Sequence, residues 1–133
     1  MDSNRLREIP LFAGLGKREL EQLGSWTDEV DVPEGQVLGR EGSVAYEFFV
    51  IEQGRAAVTI DGDQVAQLGP GDFFGEIGLL AAERRTATVT ALEPMRLVVM
   101  FGREFRSMER QMPAVAAKVR AAIEERLARD TAE

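Results

Sequence analysis

Glycine falls at positions 35, 42, 54, 62, 69, 71, 75 and 78, and this punctuation constrains the fold more than any other feature of the chain. The stretches between these glycines are short and rich in Val, Ile and aromatic residues: residues 30–32, 37–38, 46–52, 56–60 and 65–68. Such residues suit a pleated, half-buried surface, and glycine supplies the backbone conformations that tight turns need. Ala56, Val58 and Ile60 alternate with Ala57 and Thr59, the period of a half-buried strand. Asp61-Gly62 follows at once, and residues 65–68 resume the apolar pattern. That arrangement predicts a hairpin closed by a two-residue type I′ turn. Gly69-Pro70-Gly71-Asp72 is a second hard turn, and residues 87–92 and 95–101 read as two further strands. Many short strands with close turns predict an antiparallel barrel or roll. A doubly wound parallel sheet would need crossover helices, and there is no room for them before residue 76.

The flanks follow a different period. Leu11, Phe12, Leu15, Leu20 and Leu23 recur near helical spacing, interrupted by Gly14 and Gly16. Residues 17–24 read as one short helix with Gly24 as its stop, after an earlier element that ends near Pro10. Residues 102–111 read as another helix, and Pro113 suits the first turn of the next. Val115, Val119, Ile123 and Leu127 then stand four apart as an apolar stripe. Two readings of the stripe stay open: it packs on the roll, or part of it forms a dimer seam or a movable lid. The expected organisation is one domain over 1–133: a helical segment 1–25, a roll 26–101 and C-terminal helices 102–130.

Charge narrows the functional classes. The net charge is −7, with nine basic against seventeen acidic residues up to position 100 and seven against six beyond it. An acidic chain is a poor match to non-specific nucleic-acid binding. There is no Cys and no His. Disulfides and zinc–thiolate sites are therefore excluded, and the easiest general base near neutral pH is missing. A metal enzyme built on a small roll would need several His or inward-pointing carboxylates. No catalytic residue, metal or cofactor is expected, and the chain reads as a binding module without chemistry. No apolar run is long enough for a membrane-spanning helix and no secretory signal is visible, so a cytoplasmic location without membrane association is expected.

One segment, residues 73–89, breaks the strand rhythm. It begins as a strand, leaves it at Gly75, and reads as a short helical turn over 76–80, then a loop ending in Arg84-Arg85 and a strand beginning at Thr86. A helix start offers unpaired backbone N–H groups to an anion. Gly75 and Gly78 remove side chains where a ligand could press against backbone. Arg85 can fork onto two phosphate oxygens from a rigid strand end. A carboxylate at Glu76 is costly beside an anion unless it accepts from another group, such as a sugar hydroxyl. Together these residue types describe a site for a phosphorylated sugar. Taken separately, Glu76 also reads as an ordinary first-turn residue favoured by the helix dipole, and Arg85 as a surface partner of Glu83 or Asp72. Arg84 reads as a solvated surface arginine.

The segment resembles the phosphate-binding cassette of the cyclic nucleotide-binding domain family, shared by cyclic-AMP receptor-type regulators, kinase regulatory subunits and cyclic nucleotide-gated channels. Phe74-Gly75-Glu76-Ile77-Gly78-Leu79-Leu80 is followed by Arg85-Thr86-Ala87-Thr88-Val89, with Arg85 nine residues after Glu76 as in the family. The likeness extends to Pro33-Glu34-Gly35-Gln36, to residues 49–54, to residues 68–74 and to residues 9–15. It covers about residues 9–127. It implies an antiparallel β-roll (a jelly roll, or double-stranded β-helix) with a cassette helix and C-terminal helices.

By the resemblance, Arg85 is similar to the arginine that pairs with the exocyclic phosphate oxygens, and Glu76 to the glutamate that accepts from the ribose 2′-OH. The backbone around Gly75, Ile77, Gly78 and Leu79 would line the sugar and phosphate. Thr86 would stand against phosphate and base, with Phe74 and Ala87 in the same wall. Val65, Leu68 and Val89 are weaker candidates for the base side. Leu79 and Leu80 resemble positions that couple the cassette to the C-terminal helices. Lys118, Ala122, Arg126 and Arg129 are candidates for capping the base, and no aromatic residue stands among them.

The implied ligand is a cyclic mononucleotide: cyclic AMP by preference, cyclic GMP as the alternative that Thr86 leaves open. The implied function is a sensor whose C-terminal helices respond to ligand and regulate a downstream protein partner, with a homodimer through the last helix as one arrangement. The alternative is a module of the same fold that has lost ligand binding and serves only interaction or dimerisation. The chain stops at Glu133 without the helix-turn-helix of the family's DNA-binding members. Three readings stay open, a stand-alone sensor acting on a partner, a buffer of free nucleotide and an excerpt of a longer protein, and the initial Met and polar tail mildly favour a complete protein.

Overall fold

The computed structural model of the chain describes residues 2–76 and 84–132, and it divides into two compact units, Asp28–Gly102 and Met1–Thr27 with Arg103–Glu133. The first is the β unit. Its strands are β1 (Asp28–Val32), β2 (Val37–Gly39), β3 (Glu47–Gln53), β4 (Ala56–Ile60), β5 (Asp63–Leu68), β6 (Phe73–Phe74), β7 (Thr88–Ala91) and β8 (Met95–Phe101). They form two four-stranded sheets, ordered β1-β8-β3-β6 and β2-β7-β4-β5, and every pairing is antiparallel. This is the antiparallel β-roll expected from the glycine punctuation.

The two long strands, β3 and β8, are near-continuous apolar runs, as expected for strands buried on both faces. Alternate residues of the strands build one core: Phe49, Ile51, Leu97 and Val99 from one sheet meet Ala56, Val89 and Ala91 from the other. Phe74 of β6 joins them, its ring stacked on Phe49 with centroids 4.8 Å apart. Each of the larger side chains among them, removed from water, contributes about 1.5–3 kcal/mol before the entropy of ordering it.

The β4–β5 hairpin turns at Asp61 and Gly62, with φ of 52° and 84°. Both values are positive, as a type I′ turn requires. Asp61 is the one non-glycine residue at positive φ among the described residues, a conformation Asp tolerates better than most.

The strand expected from Thr86 instead begins at Thr88. Upstream of it the backbone of Arg85 is committed elsewhere. Its N–H donates to the Ser43 carbonyl at 2.7 Å, and its carbonyl accepts from Gly42 N–H at 2.8 Å. Arg84 forms an isolated antiparallel bridge with Val44, and Thr86 and Ala87 bend between that bridge and the β7 ladder.

The second unit is helical. It holds α1 (Ser3–Arg7), a 3-10 turn (Pro10–Phe12), α2 (Lys17–Gly24), α3 (Gly102–Gln111) and α4 (Pro113–Ala132). Asp2 caps α1 by accepting from Asn4 N–H at 2.8 Å. Glu19, in the first turn of α2, reaches back to Gly16 N–H at 2.9 Å. The same Glu19 oxygen accepts from Lys118 Nζ of α4 at 2.9 Å. These two donors, the amide first, hold the Glu19 carboxyl below its ordinary value of 4.5. Leu6, Leu20, Leu23, Phe105, Met108, Val115, Val119 and Ile123 are buried. Three members of the predicted α4 stripe are therefore internal, and the fourth, Leu127, is half-buried. Among the described residues, no helix is long and apolar enough to cross a membrane.

Candidate functional site

The site is best built from the path of Arg85. Its backbone is clamped to the Gly42–Ser43 loop on both its N–H and its carbonyl side. Two neighbouring bonds fix that loop. Arg84 donates to the Gly42 carbonyl at 2.8 Å, and Glu41 N–H donates to Thr88 Oγ1 at 2.9 Å. Arg84, read from sequence as solvated, is exposed and still serves the loop. The Arg85 side chain thus leaves from a fixed point.

Its guanidinium runs between two glycines. A side chain carbon at Gly39 would stand 2.9 Å from Arg85 Cδ and 3.0 Å from Nε, and one at Gly75 would stand 3.2 Å from Arg85 Nη1. At the end of the slot Arg85 Nη2 donates a long bond, 3.4 Å, to the Glu47 carbonyl. Among the described residues the guanidinium has no carboxylate partner. Asp72, one of the partners the sequence left open, uses a carboxylate oxygen to accept from Gly69 N–H at 2.8 Å, closing the turn before β6. Glu83, the other, lies outside the described residues.

Gly75 has φ of +81°, a conformation that strains any side chain, and a side chain carbon there would also press on the Glu47 carbonyl. The glycine therefore lets the chain leave β6 close to β3 and turn towards Arg85. Glu76 follows, half-buried, with no hydrogen-bond or ion-pair partner among the described residues.

A cavity of about 170 Å³ opens here. Phe74, Gly75, Glu76, Arg85, Thr86, Ala87 and Val89 line it, joined by Ala45 and Val58. One cation and one carboxylate thus line a pocket whose remaining walls, Thr86 apart, are apolar or backbone. Such an arrangement orients a ligand that carries an anion at one end and a hydroxyl donor at the other.

Six of the expected binding residues are brought together by this cavity: Phe74, Gly75, Glu76, Arg85, Thr86 and Ala87. Val89, a weaker candidate, also lines it. Val65 does not. It lies in β5 with 56% of its surface exposed, and Leu68 of the same strand packs on the core. Ile77, Gly78 and Leu79, with Leu80 and the helical turn expected over 76–80, lie outside the described residues. Among the capping candidates, Lys118, Ala122 and Arg126 line a different cavity of about 420 Å³, shared with Leu11, Phe12 and Leu15. The Arg129 side chain is outside the described residues.

Four contributors were not singled out from sequence: Gly39, Ala45, the Glu47 carbonyl and Val58. Val58 had a usable signal, because it alternates inward on β4 and pairs with Val89 of β7. Gly39 had one too, since an isolated glycine within a strand often marks a close approach. Backbone carbonyls carry no signature in sequence. Among the described residues, no group of three or more acidic side chains is placed to hold a metal ion.

Comparison with known proteins fits this geometry. Residues 29–111 match the model of the cyclic nucleotide-binding domain. A cyclic nucleotide-gated potassium channel of Rhizobium etli is 33% identical over 112 residues, which is 84% of this chain and 31% of the channel. The cyclic AMP receptor protein of Thermus thermophilus is 30% identical over 127 residues, covering 92% of this chain and 59% of that protein. The chain therefore spans well under two thirds of the length of these relatives. A solved cyclic nucleotide-binding domain from Methylobacillus flagellatus has the same fold, with a TM-score of 0.86 at 22% identity, over 96% of this chain and 75% of that one. The family match spans the whole roll from β1 to β8, Arg85 and Glu76 included, and on that ground the chain belongs to the cyclic nucleotide-binding domain family.

Proposed function

We propose that this chain binds a cyclic mononucleotide, cyclic AMP in preference to cyclic GMP, and acts as a sensor with no catalysis of its own. The observation that carries the reading is the convergence of Arg85 and Glu76 on one cavity from opposite ends of the segment 76–85. In the reading, Arg85 pairs with the exocyclic phosphate oxygens and Glu76 accepts from the ribose 2′-OH. Gly75, Ile77, Gly78 and Leu79 lie along the sugar and phosphate, with Phe74, Thr86 and Ala87 towards the base. A charge-assisted fork onto phosphate is among the stronger hydrogen-bonding arrangements available to a protein. The preference for cyclic AMP draws support from the name of the Thermus relative.

Ligand binding at Glu76 and Arg85 shifts the population of conformers in α3 and α4 and so regulates a downstream partner, with Leu79 and Leu80 as the coupling positions. A cytoplasmic location, one domain over the whole chain and a homodimer through α4 belong to the same proposal. The competing reading, a module that only mediates interaction or dimerisation, leaves a carboxylate with no partner among the described residues, and a guanidinium at the same pocket, without a purpose.

Calorimetric titration with cyclic AMP, cyclic GMP and non-cyclic AMP tests the proposal. Saturable binding of a cyclic nucleotide and none of non-cyclic AMP is expected. No heat with either cyclic nucleotide would favour the non-binding module.

A further inference from the structure

Gly39 lies in β2, outside the segment 73–89 that carries the proposed binding residues, yet a side chain carbon there would stand 2.9 Å from Arg85 Cδ, nearer than the 3.2 Å from Nη1 of one at Gly75. We infer that Gly39 is a positioning residue: the absence of a β-carbon there sets where the Arg85 guanidinium lies, and through it the affinity for the phosphate. The inference rests on the proposed binding of a cyclic nucleotide at Arg85.

Two other reasons for a glycine can be set aside on geometry. β2 and β7 shift register between Val37 and Gly39, and bulges sometimes need glycine for a positive φ. Gly39 is not among the glycines at positive φ, so its backbone suits any residue. Nor is the backbone of another strand among the three atoms nearest to an added carbon. These are Arg85 Cδ at 2.9 Å, Nε at 3.0 Å and Nη1 at 3.0 Å, all from one flexible side chain. Gly75 differs on both counts, since it has φ of +81° and faces the Glu47 backbone. Alanine at 39 would therefore be accommodated by moving Arg85, whereas alanine at 75 would strain the main chain.

There is room for that movement. Arg85 also lines a second cavity of about 230 Å³, on the side of Gly39, Arg40, Ser43 and Val44. A displaced guanidinium has space to shift away from its present slot, and a fork that recognises phosphate tolerates little misplacement. Loss of a hydrogen bond to a charged group weakens binding by roughly ten- to a hundred-fold.

Four proteins test this: wild type, Gly39→Ala, Arg85→Ala and the double variant. The first readout is the arginine Nε–Hε correlation spectrum of 15N-labelled protein without nucleotide, with the Arg85 signal assigned by its loss in Arg85→Ala. Gly39→Ala is expected to move the Arg85 signal and to leave the thermal midpoint within about 3 °C of wild type. An unmoved signal overturns the inference whether or not any nucleotide binds. The second readout is calorimetry with cyclic AMP. Gly39→Ala is expected to weaken binding about ten-fold or more, and to add no further loss in the Arg85→Ala background, because alanine at 85 lacks the Cδ, Nε and Nη1 atoms that a carbon at 39 would displace. Losses that multiply would mean Gly39 acts other than through Arg85, and would overturn it. Should Gly39→Ala prove unstable, recovery of stability in the double variant supports the inference and its absence overturns it. If wild type binds neither cyclic AMP nor cyclic GMP, the proposed function fails, and the spectrum alone decides the role of Gly39.

Discussion

Arg85 and Ser43 are joined by a main-chain hydrogen bond of 2.7 Å, and this bond sets the origin of the side chain on which the site depends. The loop that carries Ser43 is 42 residues away in sequence, so the position of Arg85 is a property of the roll and not of the segment 73–89 alone. A second bond, from Gly42 N–H to the Arg85 carbonyl at 2.8 Å, makes the clamp two-sided. The side chain then starts from a fixed point, with its backbone cost already met in folding.

Replacement of that donor should be close to complete loss of function with the fold retained. Arg85→Ala is expected to weaken cyclic AMP binding by about a hundred-fold or more, since a charge-assisted fork is lost. The thermal midpoint without nucleotide should stay within a few degrees, because the side chain's one described hydrogen bond is long, 3.4 Å. Calorimetry beside a thermal melt checks both halves. Undiminished affinity would remove Arg85 from the binding site.

The role given to Glu76 predicts a change of selectivity more than of affinity alone. Wild type should bind cyclic AMP about ten-fold or more tightly than 2′-deoxy cyclic AMP, one charged hydrogen bond being at stake. Glu76→Gln should narrow that ratio towards unity. Competition binding with the two nucleotides reads it directly, and an unchanged ratio would mean the carboxylate does not meet the 2′-OH.

Gly75 should matter to stability even without ligand. Its φ of +81° and the approach to the Glu47 carbonyl make Gly75→Ala costly, about 1–3 kcal/mol. Urea unfolding would show a lowered midpoint at unchanged slope. A midpoint equal to wild type would mean that this turn relaxes freely.

The core beneath the site should respond as a packed interior does. Phe74→Ala removes a ring stacked on Phe49 at 4.8 Å and is expected to cost about 3–5 kcal/mol. Phe74 also lines the cavity, so the variant should weaken nucleotide binding as well. Urea unfolding and calorimetry on the same preparation would measure the two effects. A loss well below 2 kcal/mol would argue that the β6 edge is loosely packed.

Acid should expose the Glu19 contacts. Its carboxyl is held low by Gly16 N–H and by Lys118, so its contribution to stability is present above the unfolded value of 4.5 and is lost as pH falls through the lower folded value. Glu19→Gln should therefore be less stable than wild type near neutral pH, with the difference vanishing in strong acid. The group is half-buried at the surface and its Lys118 partner is exposed, so the effect should be small and should shrink further in high salt. Thermal melts across pH, at low and high salt, check the sign. A difference that grew on acidification would contradict it.

Several elements were legible from residue pattern alone because their causes are local. Asp61-Gly62 announces its turn, since few dipeptides accept two consecutive positive φ values. Residues 17–24, 102–111 and the helix after Pro113 are marked by period and by their start and stop residues. The start of β7 was not legible. Thr86 and Ala87 have strand-like composition, but the Arg85 backbone is already bonded to Gly42 and Ser43, and no local signal reports that competition. Val65 shows the same limit. Its apolar character fits a pocket wall, whereas β5 lies at the edge of its sheet with Val65 exposed.

For the site, the chain's own order of residues was sufficient to choose Glu76 and Arg85, because charge type and spacing are written in the sequence and match a family pattern. It was also sufficient to choose an antiparallel roll, because turn chemistry and strand period act over a few residues. The slot around the guanidinium was decided only in three dimensions. Gly39 and Glu47 are distant in sequence and meet Arg85 through the pairing of separate strands. What matters at one is a missing carbon and at the other a main-chain oxygen, and such features acquire meaning only once the strands have set their distances.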